Sequence, residues 1–166
     1  DVGGKPLLEF LYSRLQPLIK KYSVFVATTL NDADDDIIHL CTKLGIAHFR
    51  GSENDVLNRF YQLSTQNKLD IIVRINADSP FLDADFVDDK IQKFLLSTLS
   101  YDYGSTIIEP TYPIGMHVEI MTYEALCDAH NKCSDPLLRE HVTPYIYKNP
   151  EIFVLKSFRH DKDLSD

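Results

Sequence analysis

Apolar residues along this chain switch repeatedly between two spacings. From Leu7 to Tyr22, the residues Leu7, Leu8, Leu11, Leu15, Leu18 and Ile19 recur every three or four positions, as one helix face requires. Gly4 and Pro6 supply the turn and the first helical position ahead of it. Residues 23–29, SVFVATT, are instead continuous and β-branched, as in a strand covered on both faces. The alternation continues with a helix over 33–44, a short strand over 46–49, a helix over 53–67, a strand over 70–75 and a helix over about 84–97. The second half is less regular. YDYGST (101–106) and MHVEIM (116–121) read as strands, 122–133 and 138–148 as helices, and IFVLKSF (152–158) as a last strand. Strands of buried type alternating with helices predict a single α/β domain. Its sheet is mainly parallel with right-handed crossovers, and pairing becomes mixed late in the chain.

Composition narrows the picture. The 166 residues carry 44% hydrophobic and 25% charged positions, which suits a globular domain with a real core. A net charge of -8 argues against a nucleic-acid-coating surface, although a local positive pocket on an acidic protein can still take a small anion. No apolar run approaches the roughly 20 residues of a membrane helix, and no basic-then-apolar leader opens the sequence. Cys41, Cys127 and Cys133 are odd in number and form no CxxC, so free thiols and a reducing cytoplasm are expected.

Ligands of parallel α/β sheets bind beyond the carboxyl ends of the strands, so those ends are where chemistry is sought. The acidic run from Asn31 to Asp36 follows the 23–29 strand and reads as a helix N-cap at the positive end of the helix dipole. Arg50-Gly51-Ser52 follows the 46–49 strand. Ser52 with Asp55 forms a capping box, while Arg50 beside free helix-terminal amides makes an anion-binding arrangement. Asp78 lies past the end of the 70–75 strand, where Pro80 stops the ladder. It reads either as an Asx-turn residue or as a metal ligand, and the pattern does not choose between them. Mg²⁺ is held by few protein carboxylates and keeps waters and phosphate oxygens as its other ligands, so a single aspartate suits a nucleotide-triphosphate enzyme. Asp83 and Asp85 are assigned to capping the next helix. His117 and Glu119 fall on one face of their strand, and Arg139, Glu140 and His141 precede a Thr143-Pro144 helix start. The latter trio also reads as a structural ion-pair network.

Taken in order, GGKPLLEFLYSRL, VFVATT, DDDII, FRGSENDVLNRFYQL, IIVRINADSPFLD, YPIGMHVEI, REHVTPYIY and DLSD resemble the cytidylyltransferases of spore-coat polysaccharide type, relatives of the CMP-sialic acid and CMP-Kdo synthetases. The resemblance covers essentially the whole chain. It implies a nucleotide-diphospho-sugar transferase (GT-A-like) fold, which is Rossmann-like, with a mainly parallel (mixed) sheet flanked by helices. The reaction implied is transfer of CMP from CTP to a hydroxyl of an acidic sugar, with release of pyrophosphate, in a cytoplasmic homodimer. By the same resemblance Asp78 holds Mg²⁺, Arg74 and Arg50 serve anionic groups of substrate or nucleotide with Ser52 beside them, and Glu119, Arg139, Glu140 and His141 surround the sugar.

The resemblance also shows departures. Members of the family carry a glycine- and arginine-rich phosphate loop and a first strand before GGKP, and a second metal carboxylate after DLSD, so this stretch alone is expected to bind CTP poorly. Ile114 and His117 stand where the family usually has acidic residues. Two other classes stay open: a GT-A-type glycosyltransferase that uses a nucleotide sugar, and a non-catalytic sugar-nucleotide-binding module.

Overall fold

The computed structural model describes residues 2–165; Asp1 and Asp166, the last residue of the DLSD motif, lie outside the described residues. Helices α1 (Leu7–Arg14), α2 (Gln16–Ile19), α3 (Asp35–Leu44), α4 (Val56–Gln66), α5 (Ala84–Leu95), α6 (Tyr123–Lys132), α7 (Pro136–Arg139) and α8 (Pro144–Tyr147) alternate with six strands. The strands are β1 (Phe25–Thr29), β2 (Ala47–Gly51), β3 (Ile71–Arg74), β4 (Tyr103–Ser105), β5 (Glu119–Thr122) and β6 (Leu155–Ser157). The mixed α/β architecture agrees with the sequence pattern.

These elements group into two compact units. One unit comprises residues 1–22, 71–121 and 154–166. Its sheet runs in the order β3-β5-β4-β6, with β5 antiparallel and β6 parallel to β4. Its core gathers Leu11, Leu18, Leu82, Ile91, Ile120 and Phe158. At the middle of β4, Gly104 is required by close packing, because a Cβ there would lie 2.8 Å from the Phe158 ring and 3.0 Å from that of Phe94. The other unit comprises residues 23–70 and 122–153, and holds the parallel pair β1-β2 with α3, α4, α6, α7 and α8. Leu57, Leu126 and Ile146 are fully buried within it.

Three predicted elements differ in detail, each through proline or side-chain competition. The helix expected over 7–22 breaks at Leu15, because Pro17 in the first turn of α2 has no N–H to continue the ladder. The helix expected over 138–148 is two short helices, since Pro144 can only start a helix and disfavours helical geometry in the residue before it. Between them Val142, fully buried, takes a left-handed φ of 69°, a costly conformation for a β-branched residue. The strand expected over 116–121 begins only at Glu119. In its approach the Thr106 hydroxyl donates to the Met116 carbonyl and accepts from the Val118 amide, taking the place of ladder bonds.

Candidate functional site

The first unit carries Arg74, Asp78 and Glu119. Four apolar-to-basic residues, Ile71-Ile72-Val73-Arg74, form β3, and the chain then leaves the sheet in a turn closed by the Ser79 amide donating to the Asn76 carbonyl at 3.1 Å. That backbone bond makes the turn without help from a side chain. The Asp78 carboxylate is exposed and makes no hydrogen bond or ion pair among the described residues, so the Asx-turn reading does not describe it. Below it, Ser79 and Leu82 are buried. Arg14 of α1 fastens the following loop, donating from Nε to the Leu82 carbonyl (2.8 Å) and from Nη2 to that of Phe81 (3.3 Å). Asp83 caps α5 by accepting the Phe86 amide at 2.9 Å, as its position predicts. A free carboxylate on a fastened turn is therefore presented to solvent.

Arg74 and Glu119 are brought together. The Arg74 guanidinium pairs through Nη1 with Glu119 Oε2. Glu119 is buried, and its other oxygen accepts the hydroxyl of fully buried Tyr103 at 2.7 Å. The sheet register explains the contact. Glu119 lies opposite Ser105, so Tyr103, two residues back along β4, is its diagonal neighbour on the same face. Tyr103 was not singled out from the sequence. The available signal is that a buried tyrosine hydroxyl needs a partner, and a glutamate in the adjoining strand is the natural one. His117 precedes the strand, and Ile114 is 84% exposed on the turn formed by Gly115, whose φ is 91°.

In the second unit the expected phosphate- and sugar-side residues are joined by Asp55. This residue is the N-cap of α4, with Oδ1 accepting the Asn58 amide at 3.0 Å, and its own amide donates to the Ser52 hydroxyl at 3.0 Å. The helix therefore starts one turn later than a cap at Ser52 would place it. Oδ2 of Asp55 accepts Arg139 Nε at 3.0 Å, and Arg139 Nη1 also donates to the carbonyls of His130 and Cys133. Of the Arg139-Glu140-His141 trio, only Arg139 belongs to a network. The Glu140 and His141 side chains are exposed, with no hydrogen bond or ion pair among the described residues.

Arg50 is likewise engaged with its own loop, donating to the carbonyls of Thr29 and Asn31 and to Asp35, each at 2.7 Å. The acidic run does not cap α3 with its side chains; Asp34 instead turns back to the end of β1. One of its oxygens accepts the hydroxyls of Thr28 and Thr29 and the Thr29 amide, which with nearby Arg50 holds this carboxyl down to about 2. Gly51 lets the Arg59 stem pass, since a Cβ there would sit 2.7 Å from Arg59 Cγ. Among the described residues no cluster of three His, Cys, Asp or Glu side chains could hold a metal ion, and no helix is long and apolar enough to cross a membrane. Cys41, Cys127 and Cys133 are free thiols.

A mixed α/β fold with charged side chains at its strand ends belongs to the class of proteins that bind ligands beyond the carboxyl ends of their strands. Solved structures agree on the fold. A cytidylyltransferase from Leptospira borgpetersenii superposes with a TM-score of 0.94 at 30% identity, over 99% of this chain and 69% of that one. A CMP:2-keto-3-deoxy-manno-octonic acid synthetase in complex with CTP superposes with a TM-score of 0.72 at 13% identity, over 96% of this chain and 81% of that one, a likeness of fold alone. The chain belongs to the cytidylyltransferase family, whose model matches residues 1–163. Curated relatives include the uncharacterized protein MJ1063 of Methanocaldococcus jannaschii, 39% identical over 92% of this chain and 60% of that protein. They also include the spore coat polysaccharide biosynthesis protein SpsF of Bacillus subtilis, 30% identical over 92% of this chain and 63% of that protein. The chain thus spans about three-fifths of the length of these curated relatives.

Proposed function

We propose that the protein containing this chain transfers CMP from CTP to an acidic sugar in the biosynthesis of a surface polysaccharide. The observation that carries the reading is Asp78: an exposed carboxylate, without a partner among the described residues, on a fastened turn at the end of β3 in a member of the cytidylyltransferase family. A sugar hydroxyl attacks the α-phosphorus of CTP. The new bond joins sugar oxygen to phosphorus, the bridge to the β-phosphate breaks, and pyrophosphate leaves with the hydroxyl proton released. Protein groups in such a reaction chiefly position the reactants and neutralise charge.

Asp78 fits Mg²⁺, because a lone carboxylate with both oxygens free leaves the remaining positions of a hard cation to water and phosphate. When bound there, the ion supplies charge neutralisation to the triphosphate. Arg74 is assigned to the same negative charge. Ser52, whose hydroxyl hydrogen stays available after it accepts the Asp55 amide, serves a phosphate oxygen. Arg50 contributes by fixing the loop after β1 through its three bonds within that loop, and Arg139 by fixing the segment that presents Glu140 and His141. Those two exposed side chains are the ones available to an acceptor. Action as a cytoplasmic homodimer belongs to the same proposal.

The test is pyrophosphate release by the full-length protein given CTP, Mg²⁺ and a panel of acidic sugars. Release with CTP and at least one such sugar is expected, with kcat at least about 100-fold lower in Asp78→Asn. Retained CTP binding without release for any sugar would favour a non-catalytic binding module. Turnover of a nucleotide sugar in place of CTP would favour a glycosyltransferase.

A further inference from the structure

We infer that Glu119 is a positioning residue that acts through Arg74, with the Tyr103 hydroxyl fixing it in place. This assignment rests on the nucleotidyl-transfer reading and differs from a direct sugar contact. Glu119 is 3% exposed, and both of its oxygens are engaged, one by the Arg74 guanidinium and one by Tyr103 at 2.7 Å. A carboxylate so placed has little surface with which to meet a ligand. Its energetic role is set by its neighbours. Replacing it with glutamine would remove the negative charge that faces the guanidinium of Arg74, whose side chain is only 19% exposed.

The three groups occupy consecutive strands in the order β3-β5-β4: Arg74 is the last residue of β3, Glu119 the first of β5, and Tyr103 the first of β4. A chain of contacts therefore runs from the sheet interior to the strand end from which the Asp78 turn departs. Tyr103 is fully buried and cannot reach a substrate. Its hydroxyl restricts the glutamate, and the glutamate restricts the arginine. A long arginine side chain otherwise samples many rotamers, and fixing it beforehand avoids that ordering cost when the triphosphate arrives.

The test uses the full-length protein and two variants that preserve shape. Glu119→Gln keeps an acceptor for Tyr103 and removes the charge, whereas Tyr103→Phe removes one hydroxyl remote from any ligand. Glu119→Gln is expected to lower kcat/KM for CTP by about 100-fold with the sugar KM changed less than about twofold. Tyr103→Phe should lower it about 3- to 10-fold in the same pattern, and the double variant should be no worse than Glu119→Gln alone. A sugar KM raised more than about tenfold in Glu119→Gln, with the CTP parameters unchanged, would overturn the assignment. So would a silent Tyr103→Phe beside a large Glu119→Gln effect.

A readout without turnover separates this inference from the reaction itself. In the nucleotide-free ¹⁵N-labelled protein, the Arg74 side-chain N–H signals should be slow to exchange in wild type, faster in Tyr103→Phe and lost in Glu119→Gln. Equal exchange in all three would sink the inference even if CMP transfer is established. If the wild type releases no pyrophosphate, the same series still decides whether Glu119 fixes Arg74.

Discussion

Single carboxylates in this chain have different fates according to what faces them. Asp78 has no partner among the described residues, Glu119 is engaged by Arg74 and Tyr103, and Asp34 accepts three hydrogen bonds on one oxygen. Asp34 offers a pH test. Its folded-state carboxyl lies at about 2, below the ordinary unfolded value of about 3.9, so folding favours the ionised form. The stabilisation is complete above the unfolded value and disappears as pH falls through about 2. Because Asp34 is partly solvated, its contribution is about 1 kcal/mol. Urea unfolding of wild type and Asp34→Asn should show a constant gap above pH 5 that narrows below pH 4 and closes near pH 2. This role was hidden in the sequence, where an acidic run before a helix suggests capping. The short Thr28 and Thr29 side chains at the end of β1 capture Asp34 instead. Asp83, by contrast, was legible, because an aspartate directly ahead of a helical run caps it, and it accepts the Phe86 amide of α5.

At the level of elements, the amphipathic and β-branched segments announce themselves because burial enforces their period. Strands β1, β2 and β3 and helices α3 to α6 fall where the spacing puts them, with ends shifted by a few residues. What the pattern could not reveal is where side chains substitute for ladder bonds. Thr106 delays β5, and the Pro144 segment divides one expected helix into two. Strand β4 supplies the test at this scale. Gly104→Ala forces a methyl group against the Phe158 and Phe94 rings, an overpacking that costs about 1–3 kcal/mol. Tm should fall by about 2–12 °C in a thermal melt, and Phe158→Leu in the same chain should restore part of the loss. The strained Val142 was equally invisible, since no pattern of apolar residues marks a left-handed backbone.

For the whole molecule, the sequence revealed the α/β class, and the order of its motifs revealed the family; the division into two units, each built from separate stretches, was not legible. Periodicity describes neighbours along the chain, whereas these units are defined by pairings far apart in it, such as β6 beside β4. A deletion of residues 154–166 therefore does more than trim a tail. It removes β6 and Phe158 from the sheet and core of the first unit, and near-UV circular dichroism should show loss of the cooperative melt. The same interleaving has a consequence for biogenesis. Helices α1 and α2 belong to a core that also needs Phe158, so during synthesis their apolar faces must wait until that residue has emerged. The stretches of the second unit, 23–70 and 122–153, emerge before Phe158 does. Folding of the first unit should consequently depend on long-range closure, with α1 and α2 the segments most in need of a chaperone while translation proceeds.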